Sequence, residues 1–152
     1  MPLTILALSA AMAVGQPVPI DATLMQGLPT AQASFTAHGA LHNCSGPTVA
    51  SLVGRLGLPQ GEKLGGPALA NGLIFRARDG YAVLFSLGEL DVSLGNEAAI
   101  IATQCDGKAL GPDDGPYRLI LPSDHRPARA ARQLVSVELV EPQAALMAPM
   151  EH

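Results

Sequence analysis

Asp79-Gly80-Tyr81-Ala82-Val83-Leu84-Phe85-Ser86-Leu87-Gly88-Glu89-Leu90 is the stretch on which the fold turns. Asp-Gly between apolar runs is a strong hairpin signal, because both residues tolerate the backbone of a tight turn. The runs it joins are Gly72 to Arg78 and Tyr81 to Phe85. Ser86 and Glu89 then stand three apart, the spacing of a capping box, which predicts a brief helical turn. Further on, Ala98 to Thr103 reads as a buried strand closed by a second Asp-Gly turn, Asp106-Gly107. Tyr117 to Leu121 is a short strand between prolines, Ala128 to Arg132 has room for one helical turn, and Leu134 to Val140 alternates as a last strand.

Upstream, Ala33 to Ala37 predicts a strand that ends at His38-Gly39. Gly46-Pro47-Thr48 opens an amphipathic helix, with Val49, Leu52, Val53 and Leu56 at i, i+3, i+4 and i+7. Pro47 suits its first turn and Gly57 its stop. Pro59 to Pro67 is a glycine-rich connector. No internal repeat and no second core emerge, so the expectation is one α+β domain made mostly of short strands.

Composition agrees. A chain of 152 residues with 48% apolar and 14% charged side chains can bury one core and is no disordered tail. A net charge of −4 argues against nucleic acid as a partner. Leu3 to Val14 is an uncharged apolar run, long enough for a signal-peptide core and too short to span a bilayer. Ala11-Met12-Ala13 offers a small-x-small cleavage site, although no Lys or Arg precedes the run; a buried terminal strand or helix is the competing reading. The expected organisation is a signal peptide at 1–15, a spacer at 16–23, a domain at 24–141 and a flexible tail at 142–152. That predicts a periplasmic or secreted protein, and no later run is long enough to cross a membrane. Cys44 and Cys105 are an even count that permits a disulfide in an oxidising compartment; two small, partly buried thiols fit as well.

Charge placement points to chemistry. Arg118, Arg126, Arg129 and Arg132 fall within fifteen residues, joined by His125 and opposed within that span only by Asp124. Arginine's planar fork of donors suits phosphate, sulfate or carboxylate. Arg129 and Arg132 stand at i, i+3, so one helical turn would aim both at the same region. The competing reading is a salt-bridged surface using Asp113, Asp114 and Asp124. His38 and His42, with Cys44, have spacing that a metal can use, but no carboxylate nearby in sequence is placed to orient either ring. There is no nucleophile elbow, P-loop or dinucleotide fingerprint.

The order of motifs resembles the oxidoreductase molybdopterin-binding domain of the sulfite oxidase type. Gly115, Arg118 and Pro122 resemble its Gly-x-Pro-x-Arg-leu-val-val-Pro segment, with one residue fewer between Gly115 and Arg118, and Asp106-Gly107-Lys108-Ala109-Leu110 is similar to the preceding turn. Gly80-Tyr81 with Leu87 to Leu90 resembles its hairpin, and Gly46 to Val53 its helix; the likeness covers roughly residues 24 to 141. It implies a sulfite-oxidase-type fold with mixed strands. It also implies that Arg118, Arg129, Arg132 and His125 hold the phosphate of molybdopterin. Active members bind molybdenum through a cysteine in a loop well upstream of that helix. Here the matching region, Thr36 to Gly39, has none, and Cys44 lies two residues before Gly46. Asp114 replaces the family's histidine, and Gln133 its usual aromatic. The resemblance implies an exported relative that binds an anionic ligand or a redox partner protein without a molybdenum thiolate. The alternatives are an active molybdenum oxidoreductase using Cys44 and a non-catalytic periplasmic interaction module.

Overall fold

The structure, a computed structural model, describes residues 12–142, so the expected signal segment and tail lie largely outside the described residues. Residues 12–15 run beside the domain: the Met12 N–H donates to the Leu56 carbonyl, and Val14 bridges Leu139. Strand β1 (Val18–Pro19) and helix α1 (Ala22–Met25) follow, with the Asp21 carboxylate accepting from the Leu24 N–H at 2.9 Å as the helix cap.

The expected strand at Ala33–Ala37 is longer. It is β2 (Thr30–Ala37), paired along its whole length with β3 (Ala40–Pro47). His38 and Gly39 turn this hairpin at φ 51° and 77°, the left-handed values a two-residue hairpin turn requires. Helix α2 (Val49–Arg55) buries Val49, Leu52 and Val53, the face its apolar period foretold, and Gly57 at φ 76° lies just past its end. Its start differs from expectation: Thr48 is the cap, accepting from the Ser51 N–H at 3.2 Å, while Pro47 still belongs to β3 opposite Thr30.

The connector holds two 3₁₀ turns, Gly61–Lys63 and Gly66–Ala70. Strands β4 (Gly72–Ala77) and β5 (Ala82–Ser86) flank the first Asp-Gly turn, with Gly80 at φ 92°. Helix α3 (Leu87–Leu90) carries the full capping box: Ser86 Oγ accepts from the Glu89 N–H at 3.0 Å, and the Glu89 carboxylate from the Ser86 N–H at 2.9 Å. Strand β6 (Ile100–Ala102) precedes the hairpin of β7 (Gln104–Cys105) and β8 (Lys108–Ala109), turned by Asp106 and Gly107 at φ 52° and 77°. Last come β9 (Arg118–Ile120) and β10 (Leu134–Val140).

All strand pairings between these elements are antiparallel. One sheet runs β1-β10-β4-β5, a second β2-β3-β7-β8, and β6 pairs β9 alone. With three short helices among many strands the domain is α+β. The β6–β9 pair explains why its sequence reads as continuous apolar rather than alternating. Ile101 and Leu119 face the main core with Leu52, Phe75, Phe85 and Val137; Ile100, Ala102 and Ile120 face a smaller core with Phe35 and Cys44. Burial on both faces removes the need for a polar side. Each fully buried Leu or Phe contributes about 2 to 3 kcal/mol. Gly46 lets β3 lie against this pair, since a Cβ there would fall 2.0 Å from the Ile101 carbonyl oxygen.

Candidate functional site

Arg118 is the centre of the site. It lies on β9, only 7% exposed, with its guanidinium 4.7 Å from the Phe35 ring centroid. Its Nε–H donates to the Ala130 carbonyl at 3.2 Å, and Nη1 lies 3.5 Å from the Asp114 carboxylate. The same Asp114 oxygen receives Arg132 Nε at 3.2 Å. Two guanidiniums therefore share one carboxylate, which leaves Arg118 Nη2 and both terminal nitrogens of Arg132 without partners among the described residues. Burial and the like charge of Arg132 lower the Arg118 pKa while Asp114 opposes them; the group starts so far above neutrality that it stays charged.

The arginine pair forms the shared wall of two clefts. One, of about 450 Å³, is bounded by Asp79, Tyr81, Asp113, Pro127, Ala128 and Gln133. The other, of about 320 Å³, is bounded by Phe35, His42, Lys108 and Leu110. His38, held at the β2–β3 turn, lines both. Tyr81 fixes the first cleft by donating its hydroxyl to the Ala128 carbonyl.

Arg129 and His125 lie elsewhere. The expected helical turn is a 3₁₀ turn over Pro127–Arg129, and Ala130 leaves it at ψ 62°, so Arg132 is not on the same turn as Arg129. Arg129 instead grips Asp124 through two nitrogens, at 2.9 and 2.7 Å, and reaches Glu89 at 3.2 Å. Its guanidinium lies 4.9 Å from the Phe85 ring centroid. The Asp124 bond, foremost, raises its pKa. His125 and Arg126 are exposed and line neither cleft. Of the four residues read as cofactor-binding, Arg118 and Arg132 come together; Arg129 is tied to carboxylates and His125 faces solvent.

Glu97 stands beside that second cluster with one carboxylate oxygen buried and unpartnered among the described residues. Burial first, then the charge of Asp124, pushes its pKa up. A raised folded-state pKa means the stabilising form is the protonated one, so this contribution is present at low pH and lost as pH rises through the folded value. Glu97→Gln should therefore raise the melting temperature at pH 7, with the gain shrinking once the pH falls below the raised folded value and gone by the time the ordinary glutamate value is passed. Thermal melts of both proteins across pH check it; a less stable variant at pH 7 would refute the assignment.

Cys44 and Cys105 are directly opposed on β3 and β7 and form a disulfide. Cys44 is therefore not a free thiolate, and a metal could use it only after reduction. His42 is oriented by a carboxylate after all: Nδ1 lies 2.9 Å from Asp106, which also accepts from the Asn43 N–H at 3.0 Å. The partner stands 64 residues away, and so is invisible to local reading. The His42 bond, foremost, holds the Asp106 pKa below the usual range. Among the described residues, no three His, Cys, Asp or Glu side chains gather as a metal-holding group.

For molybdopterin, the donor set fits one half of the group. Two guanidiniums with free nitrogens suit a phosphate, but the soft metal lacks its thiolate while Cys44 is oxidised. No family model matches the chain, and a search of curated proteins finds no match.

Proposed function

We propose that the protein is an exported relative of the sulfite-oxidase-type molybdopterin-binding domain that binds an anionic ligand and carries out no molybdenum chemistry of its own. One observation carries the reading: Arg118 and Arg132 converge on Asp114 in the wall of two clefts while the Cys44 sulfur is bonded to Cys105. A buried guanidinium that is only partly neutralised is costly unless something charged completes it. The free nitrogens point to that something being an oxyanion. A disulfide in so small a domain favours an oxidising compartment, in keeping with export.

The test joins metal analysis to titration. After expression with an intact cofactor pathway, elemental mass spectrometry should find no stoichiometric molybdenum. Calorimetry should detect inorganic phosphate binding that Arg132→Gln weakens by roughly tenfold. One molybdenum per chain, lost in Cys44→Ser, would replace this reading with the active oxidoreductase. Absence of phosphate binding together with salt-sensitive capture of a partner would favour the interaction module.

A further inference from the structure

We infer that the anion occupies the cleft on the β7–β8 side of the arginine pair and that Lys108 is its third cationic anchor. This rests on the anion-binding reading above and adds the side of entry and a residue that determines specificity.

The charge balance separates the two clefts. On the Tyr81 side, Arg118 and Arg132 face two further carboxylates, Asp79 and Asp113. Asp113 makes no ion pair among the described residues, so its charge is free to repel an incoming anion. On the hairpin side the same two arginines are joined by Lys108, against Asp106 and Asp114. Both of those carboxylates are already engaged. Asp114 bridges the arginines, and Asp106 is held by His42 and the Asn43 N–H. Lys108 has no carboxylate partner among the described residues, so of the two clefts at the arginine pair only this one offers an uncompensated ammonium.

Lys108 is also held in place. It pairs with Cys105 across the tight Asp106-Gly107 turn, and Cys105 is bonded to Cys44 on the neighbouring strand. The backbone that carries this cation is thus fixed on a covalently stapled hairpin before a ligand arrives, so that only the side chain remains to be ordered on binding. Two guanidinium edges and an ammonium brought in from β9, the bend before β10 and β8 suit a tetrahedral oxyanion, with acceptors in several directions, better than a flat carboxylate.

The experiment is calorimetric titration of the full chain with inorganic phosphate, and with acetate for comparison, at low salt. Phosphate should bind more tightly than acetate. Lys108→Gln, an exposed change, should weaken phosphate at least about threefold. Lys108→Arg should restore it, and Asp113→Asn should leave the hairpin-side preference for Lys108 unchanged. Phosphate binding that Arg132→Gln abolishes but Lys108→Gln does not touch would overturn the inference while sparing the broader reading. No phosphate binding by the unaltered protein would overturn both.

Discussion

Cys105→Ser should lower the unfolding free energy by about 4 kcal/mol, because the bond it removes closes a loop spanning a sequence separation of 61. The estimate comes from the chain entropy that the cross-link takes from the unfolded state. Against the roughly 5 to 15 kcal/mol that holds a domain of this kind together, the loss is large. It should shift the melting temperature by on the order of 10 °C. The geometry gives the loss a place as well as a size. The β7–β8 hairpin joins its sheet through only two residue pairs, Cys44 with Cys105 and Ser45 with Gln104. Without the bond, the wall carrying Asp106 and Lys108 is held to β3 by those pairs, by the contacts of Asp106 with His42 and Asn43, and by the Gln104 amide donating to Ser45 Oγ. Phosphate affinity should fall along with stability. The unaltered protein, melted with and without a dithiol reductant, supplies the control: reduction should bring it down to the variant, and the variant should ignore the reductant. A melting temperature indifferent to confirmed reduction would refute the assignment.

The second large effect concerns Arg118. Arg118→Met should keep most of the packing against Phe35 and lose the charge, the Nε–H bond to Ala130 and the contact with Asp114. The Ala130 carbonyl would be left without that donor, and because the partly neutralised buried charge is removed at the same time, stability should drop by only about 1 kcal/mol. Phosphate affinity should fall by more than about tenfold, since a charge-assisted bond in a partly dry site is among the strongest polar contacts. Arg118→Lys separates the two roles. An ammonium keeps the charge but cannot span Ala130, Asp114 and a ligand as a planar fork does, so binding should stay weak. Unchanged phosphate affinity in Arg118→Met would remove this residue from the site.

Much of the architecture is written in short-range chemistry. Both Asp-Gly turns, the Ser86–Glu89 capping box, the apolar face of α2 and the alternation of β10 depend on residues within a few positions of one another. Such signals act through backbone sterics and local hydrogen bonds, and they survive whatever the rest of the chain does. The start of α2 slipped because Pro47 could serve a helix or a strand end equally well. Pairing with Thr30, seventeen positions upstream, settled that choice.

The candidate site obeyed other rules. Four arginines crowded into one segment suggested an anion, but not which of them would converge in space. The turn at Pro127–Arg129 being 3₁₀ rather than α, and its abrupt exit at Ala130, sent Arg129 to Glu89 and Asp124 while Arg132 joined Arg118. A guanidinium at the end of a long side chain follows the nearest carboxylate, and Glu89 lies 40 residues upstream of Arg129. Likewise the Cys44–Cys105 bond, the Asp106 grip on His42 and the placing of Lys108 follow from which strands lie side by side. Turns, caps and apolar periods are properties of neighbours along the chain and could be read from the amino acids. Convergence of charges is a property of neighbours in space, created only when sheets register, and so it belonged to the folded molecule.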